Sequence, residues 1–529
     1  MTSTSIATTM LKSKILWMLT AGLLLVSCQQ VQVPEHYKQL QTIPKIYPDY
    51  TGVTIPVNIA PLNFELLTGA EEAVTRYMAA GQEFVYDGLK VRPGMDDWRA
   101  LTAAARGGSI TVEVYAKKNG QWARFTPYNI YVSNDSIDPW LSYRMISPSY
   151  VSYEELTLNQ RCLENFDEQV MVDNMLCSTE KGGQCVNCHS YQQYNPQRMQ
   201  FHARQNNGGT VIMYDSKVEK VTMQHDSLLS AGVYPAWHPQ LKLIAYSTDK
   251  TMQSFHTADP NKIEVFDSES DLILYDIDRH EVKTIEQQPN ELEIYPCWSP
   301  DGRWLYFCSA HFEYENDSVD VAEIALRAKE VKYNIYRKAF NTESRQFGER
   351  ELVFAADSLG KSATLPRISP DGRWLMFSMG EWGCFHIWHH DADLWLMDLL
   401  HGEGNLVKGE GNLVKGEENL VKGEGSARPL KEANSDDTES YHSWSSNGRW
   451  VVFSSRRYDG VFTRPFFVHI DNEGHASKPF ELPMEDPDCH RQLMKSYNVP
   501  ELMHAPVIQT PQQFADVLKG DGVPAKYVK

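Results

Sequence analysis

Tight-turn sequences punctuate this chain, and between them lie short runs of β-branched and aromatic residues, a pattern of strands more than of helices. In the first third, residues 52–59, 109–117 and 122–132 read as strands. Val112, Val114 and Tyr115 alternate loosely with Glu113 and Lys117, and Asn119-Gly120 supplies a hairpin turn before the third run. Residues 70–80 read as a helix, so the unit 46–150 is expected to be a small β-sandwich-like domain with one helix. Leu156, Leu163, Phe166, Val170 and Met171 then recur at near-helical spacing and predict a helix within 151–180. Residues 182–209 are polar and loop-like.

From about residue 210 the pattern repeats. Tyr234-Pro235-Ala236-Trp237-His238-Pro239 precedes the apolar run 243–247, and Tyr295-Pro296-Cys297-Trp298-Ser299-Pro300-Asp301-Gly302 precedes 304–308. Leu365-Pro366-Arg367-Ile368-Ser369-Pro370-Asp371-Gly372 precedes 374–378, and Tyr441-His442-Ser443-Trp444-Ser445-Ser446-Asn447-Gly448 precedes 450–454. Each copy reads strand, turn, strand, with a further strand at 272–277, 333–338, 394–399 or 466–470. Pro235, Pro296, Pro366 and His442 stand 61, 70 and 76 residues apart, room for three or four strands that bury both faces only by stacking on neighbours. These copies resemble the WD40-like repeats of TolB-type β-propellers over roughly residues 210–485. The resemblance implies a mainly β chain with a propeller of about five to seven blades and with protein recognition on its faces. Near-identical heptads, GEGNLVK, GEGNLVK and GEENLVK, lengthen the last spacing. Their adjacent Leu-Val and their glycines make no coiled-coil seam, so 402–425 is read as a loop insertion.

Composition and charge narrow the function classes. Fifty basic against 69 acidic residues give a net charge of −19, which argues against nucleic-acid binding and against adhesion of the folded body to an anionic membrane. Lys12 and Lys14 precede an apolar run at 15–26, too short for an ordinary spanning helix. It ends in Leu25-Val26-Ser27-Cys28, which resembles the lipobox of bacterial lipoproteins. That resemblance implies a signal peptide at 1–27, lipid attachment at Cys28, a tether at 28–45 and a lipid-anchored place in the bacterial cell envelope, the outer membrane foremost. Loss of Lys12 and Lys14 with the signal would take the charge from −19 to −21, compatible with a basic partner.

Among nine cysteines, Cys185-Val186-Asn187-Cys188-His189 forms the C-x-x-C-H pattern of c-type haem attachment. Two thiols at this spacing tether the two haem vinyls, and the following imidazole becomes the proximal iron ligand. Composition alone would produce about 0.005 such motifs in a chain like this, so the pattern is specific despite its five residues. Three other readings stay open: a redox dithiol, a zinc site from Cys162, Cys177, Cys185 and Cys188, or an inert or disulfide-bonded pair. The resemblance to c-type cytochromes is confined to about 150–215, and it assigns 151–209 as a segment binding one covalent haem c. Met199 and His202 are the candidates for the distal metal ligand, with Met213 and residues of the tail 486–529 (His490, Met494, Met503, His504) behind them. Arg198 and Arg204 are candidates for the haem propionates, and Cys162 and Cys177 for a bracing disulfide. His386, His389, His390, Asp391 and Asp393 form a weaker metal candidate.

No hydrolase or nucleotide-binding motif is present, and no catalytic residue is assigned. The expected activity is therefore one-electron transfer with an envelope protein, redox or assembly, held on the propeller. A TolB-like interaction propeller without redox role, and a haem enzyme with an open iron position, are the alternatives.

Overall fold

The computed structural model describes residues 31–147, 154–178, 184–316, 318–400 and 427–529. Cys28 and the 402–425 insertion therefore lie outside the described residues. The fold is mainly β, and its larger part is a ring of six blades. Blade 2 runs outward through Val186–Tyr191, Arg198–Ala203, Gly209–Tyr214 and Lys217–Thr222. Blade 3 has Val233–Trp237, Leu243–Phe255, Ile263–Asp276 and Glu281–Glu286. Blade 4 has Glu291–Trp298, Trp304–His311, Asn334–Asn341 and Gln346–Phe354. Blade 5 has Ser362–Ile368, Trp374–Gly380, Asp393–Asp398 and Arg428–Pro429, and blade 6 has Glu439–Trp444, Trp450–Ser455, Arg464–His469 and Phe480–Glu481.

Blade 1 is composite. Its three outer strands, Trp140–Ile146, Thr157–Cys162 and Glu168–Asp173, precede blade 2, whereas its innermost strand, Ser496–Met503, comes from the far end of the chain. The innermost strands touch in order round the ring, and Ser496–Met503 lies between those of blades 6 and 2. This closure buries the exposed strand edges that an open arc of blades would leave. The chain end adds Val523–Pro524 and Lys526–Tyr527 to the outer edges of blades 2 and 3.

The sequence-based boundaries at 150/151, 209/210 and 485/486 thus fall within one ring, 209/210 inside the strand Gly209–Tyr214: Thr157–Cys162, Glu168–Asp173, Val186–Tyr191, Arg198–Ala203 and Ser496–Met503 are blade strands. The apolar spacing read as a helix within 151–180 arises from a buried strand, a half-exposed one and the turn between them, and among the described residues only Asn174–Cys177 is helical there. Residues 70–80 are likewise a strand, Glu72–Ala79, which hydrogen-bonds to Gln82–Asp87 on one side and Ser109–Lys118 on the other. With most of its side chains covered, that strand shows no two-residue alternation. The domain's helix lies instead at Met95–Ala104, where Asp96 and Asp97 complement the N-terminal dipole and Trp98 and Leu101 are buried. Its core is continuous with blades 1 and 6 through Tyr143, Trp450, Phe467 and Tyr497.

The repeated turn has a common chemistry. Ser299 Oγ donates to Asp301 and accepts from the Trp304 N–H at 3.0 Å, and the Ser369 and Ser445 turns repeat the arrangement. The repeated tryptophan stitches blades together: Trp237, Trp298 and Trp444 each donate their indole N–H to the innermost strand of the preceding blade, at Ser190, Ala236 and Arg367.

Candidate functional site in the propeller channel

Every innermost strand carries the same irregularity. The ladder slips at Cys188-His189, Tyr234-Pro235, Tyr295-Pro296, Leu365-Pro366, Tyr441-His442 and Val499-Pro500. The first residue of each pair is left-handed, with φ between 49° and 57°. A bulge frees one residue from the ladder, which is why proline is tolerated at the second position of an otherwise central strand. The C-x-x-C-H motif is therefore built into a propeller bulge, with His189 standing where four other blades carry proline.

All twelve of these residues line one channel, together with Asn187, Ser190, Arg367, Phe385 and Glu501. Arg367 of blade 5 pairs with Glu501 of blade 1 at 2.9 Å, and Glu501 accepts from Ser443 of blade 6 at 3.0 Å, tying three blades together at the channel wall. Across one end lies a roof. The hairpin formed by Leu243–Phe255 and Ile263–Asp276 reaches beyond its blade, and Ile263 and Val265 pack with Ile387, Trp388 and Tyr441. His389 Nε2 meets Glu264 at 3.0 Å, and the His390 N–H donates to Asn261 at 3.1 Å. Under this roof, burial raises Asp249 and Asp267 above the usual carboxylate range, Asp249 raises Asp267 further, and Arg204 offsets part of the effect.

His189 is 1 % exposed, and neither of its ring nitrogens makes a hydrogen bond of good geometry. Burial, with Arg144 adding to it, lowers its pKa to about 3, against a smaller opposing effect of the Ser142 and Val499 main chain. The imidazole is therefore neutral at ordinary pH. Cys188 is buried, and burial raises its thiol pKa while Arg204 opposes the rise. Cys185 is half-buried just before the strand, and neither thiol is in a disulfide. Arg204 feels both thiols, and among the described residues it has no carboxylate within ion-pair distance.

These observations bear on the haem-attachment pattern directly. Two unbridged thiols beside a guanidinium, followed by a neutral imidazole without a well-formed hydrogen bond, are the donor chemistry that a c-type haem uses, so the residues present fit that group. The other expectations fare differently. Met199 and Met213 are cross-strand neighbours packed in the core beside Phe514, and His202 Nδ1 meets Thr210 Oγ1 at 3.1 Å; none of the three lines the channel. Arg198 is engaged with Asp215 at 2.9 Å. Cys162 and Cys177 are separate buried thiols rather than a disulfide.

The histidines and acids of 386–393 mainly fasten the roof. His386 bonds Thr364 at 2.9 Å, and His390 faces Asp437 at 3.0 Å, while Asp391 accepts from the Glu381 N–H. Asp393 only begins a blade 5 strand. In the tail, His490 is held by Glu481 and Tyr497, and His504 lies tilted against Tyr194 and faces Asp138 at 3.4 Å. Met503 is buried in blade 1 and Met494 is exposed.

Sequence reasoning missed His442, Arg367, Glu501 and the roof. His442 had a signal, since it replaces the proline of the repeated Tyr-Pro pair. Glu501 had none, because its strand reaches the ring from the chain end.

No protein-family model matches this chain, and no curated protein matches its sequence. Similar solved structures include TolB from Acinetobacter baumannii, at 13 % identity and a TM-score of 0.41 over 78 % of this chain and 85 % of that one. Prolyl oligopeptidase B from Galerina marginata, bound to a 25mer macrocyclization substrate, is 9 % identical with a TM-score of 0.36, over 66 % of this chain and 45 % of its own. A Synechocystis apocarotenoid oxygenase is 10 % identical with a TM-score of 0.34, over 87 % of this chain and 98 % of its own. Likenesses this distant add nothing to the blades themselves, and the propeller assignment rests on the sheet order and the closed ring.

Proposed function

We propose that this protein is a lipid-anchored propeller of the bacterial cell envelope that carries one c-type haem and serves one-electron transfer to a bound protein partner. The observation that carries the reading is His189: a buried imidazole whose ring nitrogens make no well-formed hydrogen bond, directly after two unbridged thiols. When bound, the haem would supply a one-electron iron couple. Cys185 and Cys188 would hold it covalently, and His189 would serve as ligand without first losing a proton. Arg204, which lacks a carboxylate partner among the described residues, would receive a propionate. The roof over the channel limits water, and a site shielded from water shifts a metal's potential. Lipid attachment at Cys28 rests on the lipobox resemblance alone.

The test is expression of the full chain with a c-type haem assembly system, followed by haem staining on a denaturing gel. The wild type stains, the Cys185→Ala/Cys188→Ala double variant does not, and palmitate labelling is lost in Cys28→Ala. A wild-type chain that folds, as judged by its β-type circular dichroism, yet carries no covalent haem overturns the redox reading and leaves the interaction propeller.

A further inference from the structure

The six bulges form an internal comparison that one sequence seldom offers. At the second bulge position four blades carry Pro235, Pro296, Pro366 and Pro500, so the fold needs no imidazole there. Two blades carry one nonetheless: His189 in blade 2 and His442 in blade 6, on either side of blade 1. His442 is 2 % exposed, and like His189 it has no hydrogen bond of good geometry at either ring nitrogen. A buried polar group left unpaired costs roughly 1–3 kcal/mol, and proline in the same slot would avoid that cost.

The two rings share surroundings as well as slot. Both line the same channel. Main-chain carbonyls lie alongside each ring, those of Ser142 and Val499 at His189 and those of Leu365 and Met376 at His442. A carbonyl beside one nitrogen is the usual means of orienting an imidazole whose other nitrogen ligates a metal.

We infer that His442 is a second imidazole ligand, acting with His189 on one transition-metal centre in the channel. Under the reading above that centre is the haem iron, and His442, rather than Met199 or His202, is its distal ligand. This deepens the haem reading and rests on it, but the shared chemistry is an imidazole-seeking metal, which a free divalent ion also satisfies.

His442→Pro is the informative variant, because it installs the residue that four other blades already tolerate. In haem-loaded full-length protein, the wild type is expected to show a low-spin, six-coordinate spectrum. His442→Pro should keep its haem stain but turn high-spin, with added imidazole restoring the low-spin spectrum. A haem-stained His442→Pro protein whose spectrum matches the wild type overturns the assignment, and Met199→Ala and His202→Ala then locate the ligand. If the wild type never stains, the haem reading fails by itself. Titration of the same full chain with Cu²⁺ and Zn²⁺ then decides: one ion bound by the wild type, and at least tenfold weaker in both His189→Ala and His442→Pro, sustains the two-imidazole site. Binding that is absent, or unchanged in either variant, overturns it.

Discussion

Glu293 gives the strongest prediction about stability. It sits on the innermost strand of blade 4 with its side chain 0 % exposed. One carboxylate oxygen accepts from the Gln288 N–H at 3.2 Å, while the other has no partner. Arg350 stands 3.9 Å away, but Asp271, Glu286 and Glu291 are also close. Burial, then Asp271 and Glu286, push the Glu293 pKa from 4.5 up to about 9. Between those two values the folded chain keeps a proton that the unfolded chain has lost, so stability falls as pH rises. At pH 8 the interval from 4.5 corresponds to no more than about 5 kcal/mol, at ~1.4 kcal/mol per pH unit. Glu293→Gln removes the titration and keeps the acceptor for Gln288. Its new amide has no partner, which costs about 1 kcal/mol at every pH. Urea midpoints from pH 5 to 8 should therefore cross: the variant is slightly weaker than the wild type at pH 5 and clearly stronger at pH 8. Parallel pH profiles for the two proteins would refute the argument.

Three further outcomes follow from the fold. Gly302 and Gly372 occupy the same turn in blades 4 and 5, both left-handed, but a Cβ at Gly302 would lie 2.5 Å from the His238 ring whereas one at Gly372 meets nothing within 4 Å. Gly302→Ala should cost several kcal/mol and Gly372→Ala only the left-handed strain of about 1–2 kcal/mol, as read from denaturant midpoints; equal losses would contradict this. Truncation after residue 495 removes Tyr497, Leu502, Met503, Val507, Phe514 and Leu518, all buried, worth about 12 kcal/mol at roughly 2 kcal/mol each. That matches the whole stability of a typical protein, so soluble, protease-resistant truncated chain would show that the ring does not depend on this closure. Glu264→Ala leaves buried His389 without its carboxylate and should loosen the roof, with amide exchange in 249–268 rising at least tenfold while blade 4 is unchanged. Exchange equal to the wild type would mean that apolar packing alone holds the roof.

The repeated turn was legible in the sequence because its chemistry is local: Ser, Asp or Asn and Gly satisfy their own backbone within six residues. The tryptophan before the turn in three of the four copies was visible as a repeat, though not as a stitch between blades. Residues 157–173 were misread because a buried strand, a half-exposed one and their turn imitate helical spacing when partners are unknown. The sandwich-like expectation for 46–150 captured a β-rich unit but put the helix at 70–80, where a covered strand loses its alternation.

The C-x-x-C-H motif shows the same division. By itself the sequence determined that blades exist, what turns join them, and that two thiols and an imidazole stand at haem-attachment spacing, all of which depend on residues close along the chain. Only the tertiary structure decided that Ser496–Met503 closes the ring, that Cys188-His189 occupies the bulge that four other blades build with proline, and that His442 faces the same channel. Those relations join residues hundreds of positions apart, and long-range strand pairing leaves no local periodicity from which they can be read.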